Sequence, residues 1–462
     1  MLSRTTPIAG GGPSPAALAA LVFLLALQSL GCGGPPPPDL LVVTLDTTRV
    51  DHLSCYGYKR QTTPNLDRFA ESAVRYTRAW STSSCTIPAH ASLFTGLFPA
   101  AHGAQFDAHA APLRAGIRAR VLDERFDTMA ELLAARGYRT AAFVGGPWLE
   151  RSFGLMQGFE HVDDHFEKGR AERSAQELTD RSIAWLREHS ADQPVFVFVN
   201  YFDPHLPYTP RAGFDKYPNA SRPVPPRWWQ KALTGKWRPP PRLLAALIDR
   251  YDGEIRYMDH HLGRLLAAFR ERPGADRSLV IIASDHGESF GEEGFYLHNG
   301  SLGEETVRIA LLIHYPNGRN AGSTSDVTIQ LVDLLPLVAA ETGTELHGIV
   351  QGVAPGERSR AYLDLRRNSF RVRSFGARYD HDWEAVIEWP YKMVLADRRA
   401  PRLLRLGKGV TEAEAEAGGG TRLEDWLELL ARHRARVGTV EAPDAVVDPE
   451  MAERLRALGY LD

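Results

Sequence analysis

Four short apolar runs recur along the chain: Leu40 to Leu45, Thr140 to Val144, Val195 to Val199 and Leu279 to Ala283. Each is apolar on both faces, as strands of a buried parallel sheet are. Between them lie stretches with helical spacing, Thr63 to Val74, Met129 to Arg136, Ala175 to His189 and Leu243 to Phe269. This alternation predicts an α/β fold with a mostly parallel central sheet flanked by helices. Residues 220–242 are rich in Pro, Trp and Arg and read as a long surface loop near the substrate. Past residue 350 the pattern changes. Ala385 to Trp389 and Lys392 to Leu395 predict an antiparallel hairpin, and Pro449 to Leu458 a terminal helix stopped by Gly459. The reading is a main domain over residues 40–350 and a small C-terminal subdomain with an antiparallel sheet over 351–462.

The N-terminal residues follow another logic. Ala16 to Leu27 is an apolar run shorter than the ~20 residues that span a bilayer, and it reads as the core of an export signal over residues 1–31. Leu30-Gly31-Cys32 resembles the end of a bacterial lipoprotein signal, in which the cysteine is lipidated; a plain cleaved signal or a single N-terminal anchor is the alternative. A Gly/Pro tether over 32–39 would hold the domain off its anchor. The chain is thus expected to be exported and held at the cell envelope.

Composition narrows the function. The 462 residues are 44% hydrophobic and 24% charged, as globular proteins are. A net charge of −3 offers no field to attract nucleic acid. Three cysteines, Cys32, Cys55 and Cys85, make neither a disulfide framework nor a zinc cluster, although Cys55 and Cys85 could pair.

The strand ends carry the chemistry, because ligands of open α/β sheets bind beyond the carboxyl ends of the strands. The first run ends at Asp46, the last at Asp285-His286, and the third leads into Asp203-Pro204-His205. Singly, Asp46 reads as a helix cap. Jointly, Asp46, Asp285 and His286 suit one divalent ion, with Ca, Mg, Mn and Zn all open. In Thr86-Ile87-Pro88-Ala89-His90, Pro88 suits a first helical turn and puts Thr86 at a helix N-terminus. Beside a metal, that hydroxyl becomes a nucleophile and a fourth ligand; without one, it is merely a cap.

These segments resemble the sulfatase family of the alkaline phosphatase superfamily, over roughly residues 40 to 462. Leu45-Asp46-Thr47-Thr48-Arg49 resembles its first metal motif and Ser284-Asp285-His286-Gly287-Glu288 its second. Thr86 to His90 occupies the place of its nucleophile signature. Phe202-Asp203-Pro204-His205, Tyr251 to Asp259, Glu304 to Ile309 and the closing Leu458-Gly459-Tyr460 match further motifs. The resemblance implies a hydrolase of anionic esters on small molecules, glycans or lipids, and it assigns His205 and His298 to proton transfer and His90 and Arg308 to substrate binding. The departures matter as much. Family members carry Cys or Ser at the nucleophile, oxidised to formylglycine, and Arg four residues on; here those places hold Thr86 and His90. Cys85 is one position early. Formylglycine is therefore not expected, since threonine cannot give the aldehyde, and phosphodiester or phosphonate hydrolysis or phospho-group transfer becomes the alternative to sulfate ester cleavage. A surface-anchored binding protein without catalysis is the third reading.

Overall fold

The computed structural model describes residues 37–107, 110, 118–167, 170–189, 193–415, 422–446 and 448–458. The expected export signal, Cys32, most of the tether and the closing Gly459-Tyr460 lie outside them.

The apolar runs form the middle of an eight-stranded sheet. Its strands are β1 (Leu40–Leu45), β2 (Val74–Trp80), β3 (Arg139–Val144), β4 (His161–Asp163), β5 (Val195–Tyr201), β6 (Leu279–Ser284), β9 (Leu311–His314) and β10 (Thr324–Gln330), with a small β7 (Ser289–Phe290) and β8 (Tyr296–Leu297) pairing apart from it. The order is β10-β2-β9-β6-β1-β5-β3-β4. All pairings are parallel except those of β9, which runs against both β2 and β6. Strands β1, β5 and β6 are buried along their whole length, as strands covered by helices on both faces must be.

Register decides what the sheet delivers. Leu45, the last residue of β1, stands beside Tyr201 of β5 and Ser284 of β6. The residues that follow these three strand ends therefore emerge on one edge. The helix Thr86–Thr95 comes after β2 and is buried throughout.

Two expectations need correction. The helix read over Thr63 to Val74 stops at Ala70, and Val74 begins β2, whose buried Val74 and Tyr76 alternate with half-exposed neighbours. The expected loop at 220–242 contains the helix Trp228–Leu233, and the long helix begins at Pro241. The hairpin is present as β12 (Trp383–Glu388) and β13 (Tyr391–Ala396), inside a five-stranded antiparallel sheet with β11 (Ala361–Leu365), β14 (Arg402–Leu406) and β15 (Glu412–Glu414). Leu363, Leu365, Ala385 and Ile387 of this sheet join the same apolar core as β1 to β6. No helix among the described residues is long and apolar enough to cross a membrane.

Candidate active site

Asp46, Asp285 and His286 converge, with ligand-capable atoms all within 4.8 Å of one another and each residue buried. The donor set shows what it is fitted for. Asp285 Oδ1 accepts from the backbone N–H groups of His286 at 2.7 Å and Thr47 at 3.1 Å, which fixes the carboxylate. Its Oδ2 and both oxygens of Asp46 are buried without a hydrogen bond. Burial, with the neighbouring Asp285 and Glu288 carboxylates, holds the Asp46 carboxyl well above the usual range. Buried acceptors without partners cost free energy, and a divalent cation removes that cost. His286 Nδ1 donates to the Gly287 carbonyl at 3.0 Å, so Nε2 presents a lone pair, 3.4 Å from Asp285 Oδ2. The residues present fit one divalent cation.

Thr86 opens the helix Thr86–Thr95, with Cys85 as its N-cap. Its Oγ1 lies 3.2 Å from His286 Nε2. The hydroxyl thus sits where backbone N–H groups and the helix dipole favour developing negative charge. Cys85 is buried and free, and burial pushes its thiol up to about 12. Cys55 is buried and free as well, so the two do not pair.

His205 and His298 stand side by side, ring centroids 5.2 Å apart, and the ring of His298 is 4.7 Å from that of His286. His298 Nδ1 donates to Glu288 Oε1 at 2.9 Å, and Tyr208 donates to the other Glu288 oxygen at 2.8 Å. Burial holds both imidazoles below their ordinary range, His205 at about 3. Burial also raises Glu288 to about 7. Glu288 closes the motif Ser284 to Glu288, yet its partnership with His298 is invisible in sequence. Asp203, next to His205 in the chain, turns away: it accepts from Ala175 N at 2.8 Å and from Arg211 at 2.6 Å.

Of the two expected substrate contacts, Arg308 is not brought to the site, while His90 lies beside it, its Nδ1 3.8 Å from Asp285 Oδ2, with its ring nitrogens committed to the protein. His90 is wholly buried beneath Thr86, one helical turn on, and both ring nitrogens are engaged: Nδ1 donates to the Thr86 carbonyl at 2.9 Å and Nε2 accepts from Thr44 Oγ1 at 3.0 Å. The guanidinium of Arg308 donates to the Thr77 and Gly409 carbonyls and faces the Trp80 and Trp389 rings. A different cation stands beside the imidazoles. Arg371 lines a cavity of about 10 Å³ together with His205 and His298, walled by Trp229, Leu233 and Phe375.

The chain matches the family model described as Sulfatase over residues 38–344. It is 24% identical over 402 residues to the uncharacterized sulfatase YidJ of Escherichia coli (strain K12), covering 73% of this chain and 75% of that protein. It is 23% identical over 427 residues to an N-acetylglucosamine-6-O-sulfatase of Bacteroides thetaiotaomicron, covering 72% and 74%. Among solved structures, a phosphonate monoester hydrolase of Agrobacterium radiobacter superposes with a TM-score of 0.68 at 20% identity, over 89% of this chain and 100% of that one.

Proposed function

The chain belongs to the sulfatase family of ester-bond hydrolases, and from that premise we propose that it cleaves a sulfate ester or a related anionic ester with Thr86 as the nucleophile. One observation carries the reading: Thr86 Oγ1 stands at a helix N-terminus, 3.2 Å from His286 Nε2 and beside the unpartnered carboxylate oxygens of Asp46 and Asp285. Asp46, Asp285 and His286, with Thr86 Oγ1, would hold one divalent cation. When bound, that cation supplies Lewis-acid charge that acidifies the Thr86 hydroxyl and neutralises the oxygens of the ester.

The protein residues do the rest. Thr86 Oγ attacks the sulfur or phosphorus in line with the leaving alcohol. A Thr86 ester forms as the bond to that alcohol breaks. His205 or His298, neutral at rest, takes the proton that the Thr86 hydroxyl gives up and passes it to the departing oxygen, while Glu288, held by Tyr208, keeps the His298 ring in place. Water then opens the Thr86 ester and restores the hydroxyl. The helix N-terminus stabilises the oxyanion in both halves of the reaction.

Formylglycine has no place in this cycle, since position 86 is threonine and Cys85 is a buried, neutral thiol. Thr86 also favours a second reading, a phosphodiester or phosphonate hydrolase or a phospho-group transferase, because a threonine ester leaves by hydrolysis or transfer and not by elimination. The relatives with sulfated-sugar names make a sulfated glycan the first substrate class to try. Export and an N-terminal lipid or signal anchor belong to the same proposal and rest on Ala16 to Leu27 and Cys32.

The test is a panel of sulfate monoesters, phosphate mono- and diesters and phosphonates, run with each of Ca, Mg, Mn and Zn on the wild type, Thr86→Ala and Asp285→Asn. Thr86→Ala is expected to lower kcat by roughly 1000-fold or more, and Asp285→Asn to lose bound metal by elemental analysis. Full metal-dependent turnover in both variants would sink the assignment. A metal-free, inactive wild type would point to the binding protein.

A further inference from the structure

Arg371 carries a further inference, which rests on reading the site as one for anionic esters. It lies on the helix Ser369–Phe375, whose start is fixed by Asn368 Oδ1 accepting from the N–H groups of Phe370 at 3.0 Å and Arg371 at 3.2 Å. The residue is only 4% exposed, and its Nη1 is buried without a hydrogen bond. Burial strips Nη1 of its hydration without a protein hydrogen bond in exchange, and leaving a donor so placed is costly. Structural arginines of this chain look different. Arg308 donates to three carbonyls, Arg49 pairs with Asp51 and Glu292, and Arg358 grips Asp333. Arg371 instead leans on the Tyr379 ring, 5.6 Å from its centroid, and lines the cavity that His205 and His298 share.

We propose that Arg371 is a substrate-binding residue whose Nη1 donates to a non-bridging oxygen of the bound sulfate or phosphate ester. It supplies the positive charge that Arg308 and His90 do not bring to this site. Guanidinium geometry suits a tetrahedral oxyanion, which offers paired oxygens to its fork. The apolar Trp229, Leu233 and Phe375 around it exclude water and strengthen the contact. The recognised chemistry is a tetrahedral oxyanion, whether sulfate or phosphate.

The test compares wild type with Arg371→Met and Arg371→Lys in the full chain. Steady-state kinetics use p-nitrophenyl sulfate and bis(p-nitrophenyl) phosphate, which separate the two sources of the oxyanion. Inorganic sulfate is titrated into Thr86→Ala and into Thr86→Ala carrying each Arg371 substitution, and thermal denaturation is recorded alongside. Arg371→Met is expected to raise KM for the cleaved ester, and Kd for inorganic sulfate, by roughly 10- to 100-fold. Its Tm is expected to hold or rise, since the change removes a buried charge with an unmade hydrogen bond. Arg371→Lys keeps the charge without the fork and should fall between. Unchanged KM and Kd in Arg371→Met, or a lower Tm with unchanged KM, overturns the proposal. Should Arg371→Met fail to fold, an unchanged sulfate Kd in Arg371→Lys does so. A wild type that cleaves nothing defeats the hydrolase reading instead, and the sulfate titration still reports on Arg371.

Discussion

Thr86 and His90 sit one helical turn apart and have opposite duties. Thr86 presents its hydroxyl to His286, while His90 packs behind it, 3.8 Å from Asp285 Oδ2, and ends a buried relay in which Asn200 donates to Thr44, Thr44 to His90, and His90 to the Thr86 carbonyl. That relay ties the start of the nucleophile helix to β1 and β5. His90→Ala is therefore expected to cost about 2–4 kcal/mol of stability, by cavity and lost hydrogen bonds, while KM for the cleaved ester stays within about threefold. Urea denaturation and steady-state kinetics check both; a large KM rise at unchanged stability would return His90 to the substrate. Asp46, Asp285 and His286 were legible in the sequence because each follows an apolar strand whose end has a fixed place in an open sheet. His90 was not, since a residue four places along a helix can face site or core with the same spacing. Arg371 had no signal at all: Arg373, two residues on, is the same type, and only the fold distinguishes them.

At the scale of elements, the five-stranded sheet is tied to the main sheet by a buried ionic knot. Lys392 of β13 is wholly buried; its Nζ donates to Glu304 at 3.1 Å, to Glu412 of β15 at 2.7 Å and to the Leu302 carbonyl. Glu304 also accepts from the Trp80 indole of β2. Such a knot is costly to form and more costly to break in half. Lys392→Met leaves two carboxylates facing each other and is expected to destabilise by about 3–5 kcal/mol, read as a lower urea midpoint; an unchanged midpoint would show that the knot adds nothing. The hairpin β12–β13 was legible from its apolar alternation. β15, Glu412–Glu414, was not, because a polar edge strand reads as loop. Of β2 the pattern reads only Val74, as the end of the preceding helix, since it continues a helical spacing as readily as it opens a period of two; the rest of the strand carries no expectation.

For the whole molecule, several carboxyls are buried without full compensation. Burial pushes Glu305 up to about 7 and Asp364 up to about 6, from ordinary values of 4.5 and 3.8. The folded state then holds protons that the unfolded chain has released. Their contribution is fully present below the unfolded values and is lost as pH rises through the folded ones. Stability should fall between about pH 4 and pH 7 on their account. The double variant Glu305→Gln with Asp364→Asn should gain on the wild type across that window, in denaturation midpoints at constant ionic strength. Parallel pH profiles for the two proteins would refute this.

The cavity beside His205, His298 and Arg371 measures about 10 Å³, enough for about one water molecule. A sulfate group alone exceeds it. Under the proposed function a sulfate group would need more room there, and the half-buried Trp229 and Phe375 are the walls best placed to yield it. Where such a side-chain motion limits entry, rising solvent viscosity slows turnover at saturating substrate.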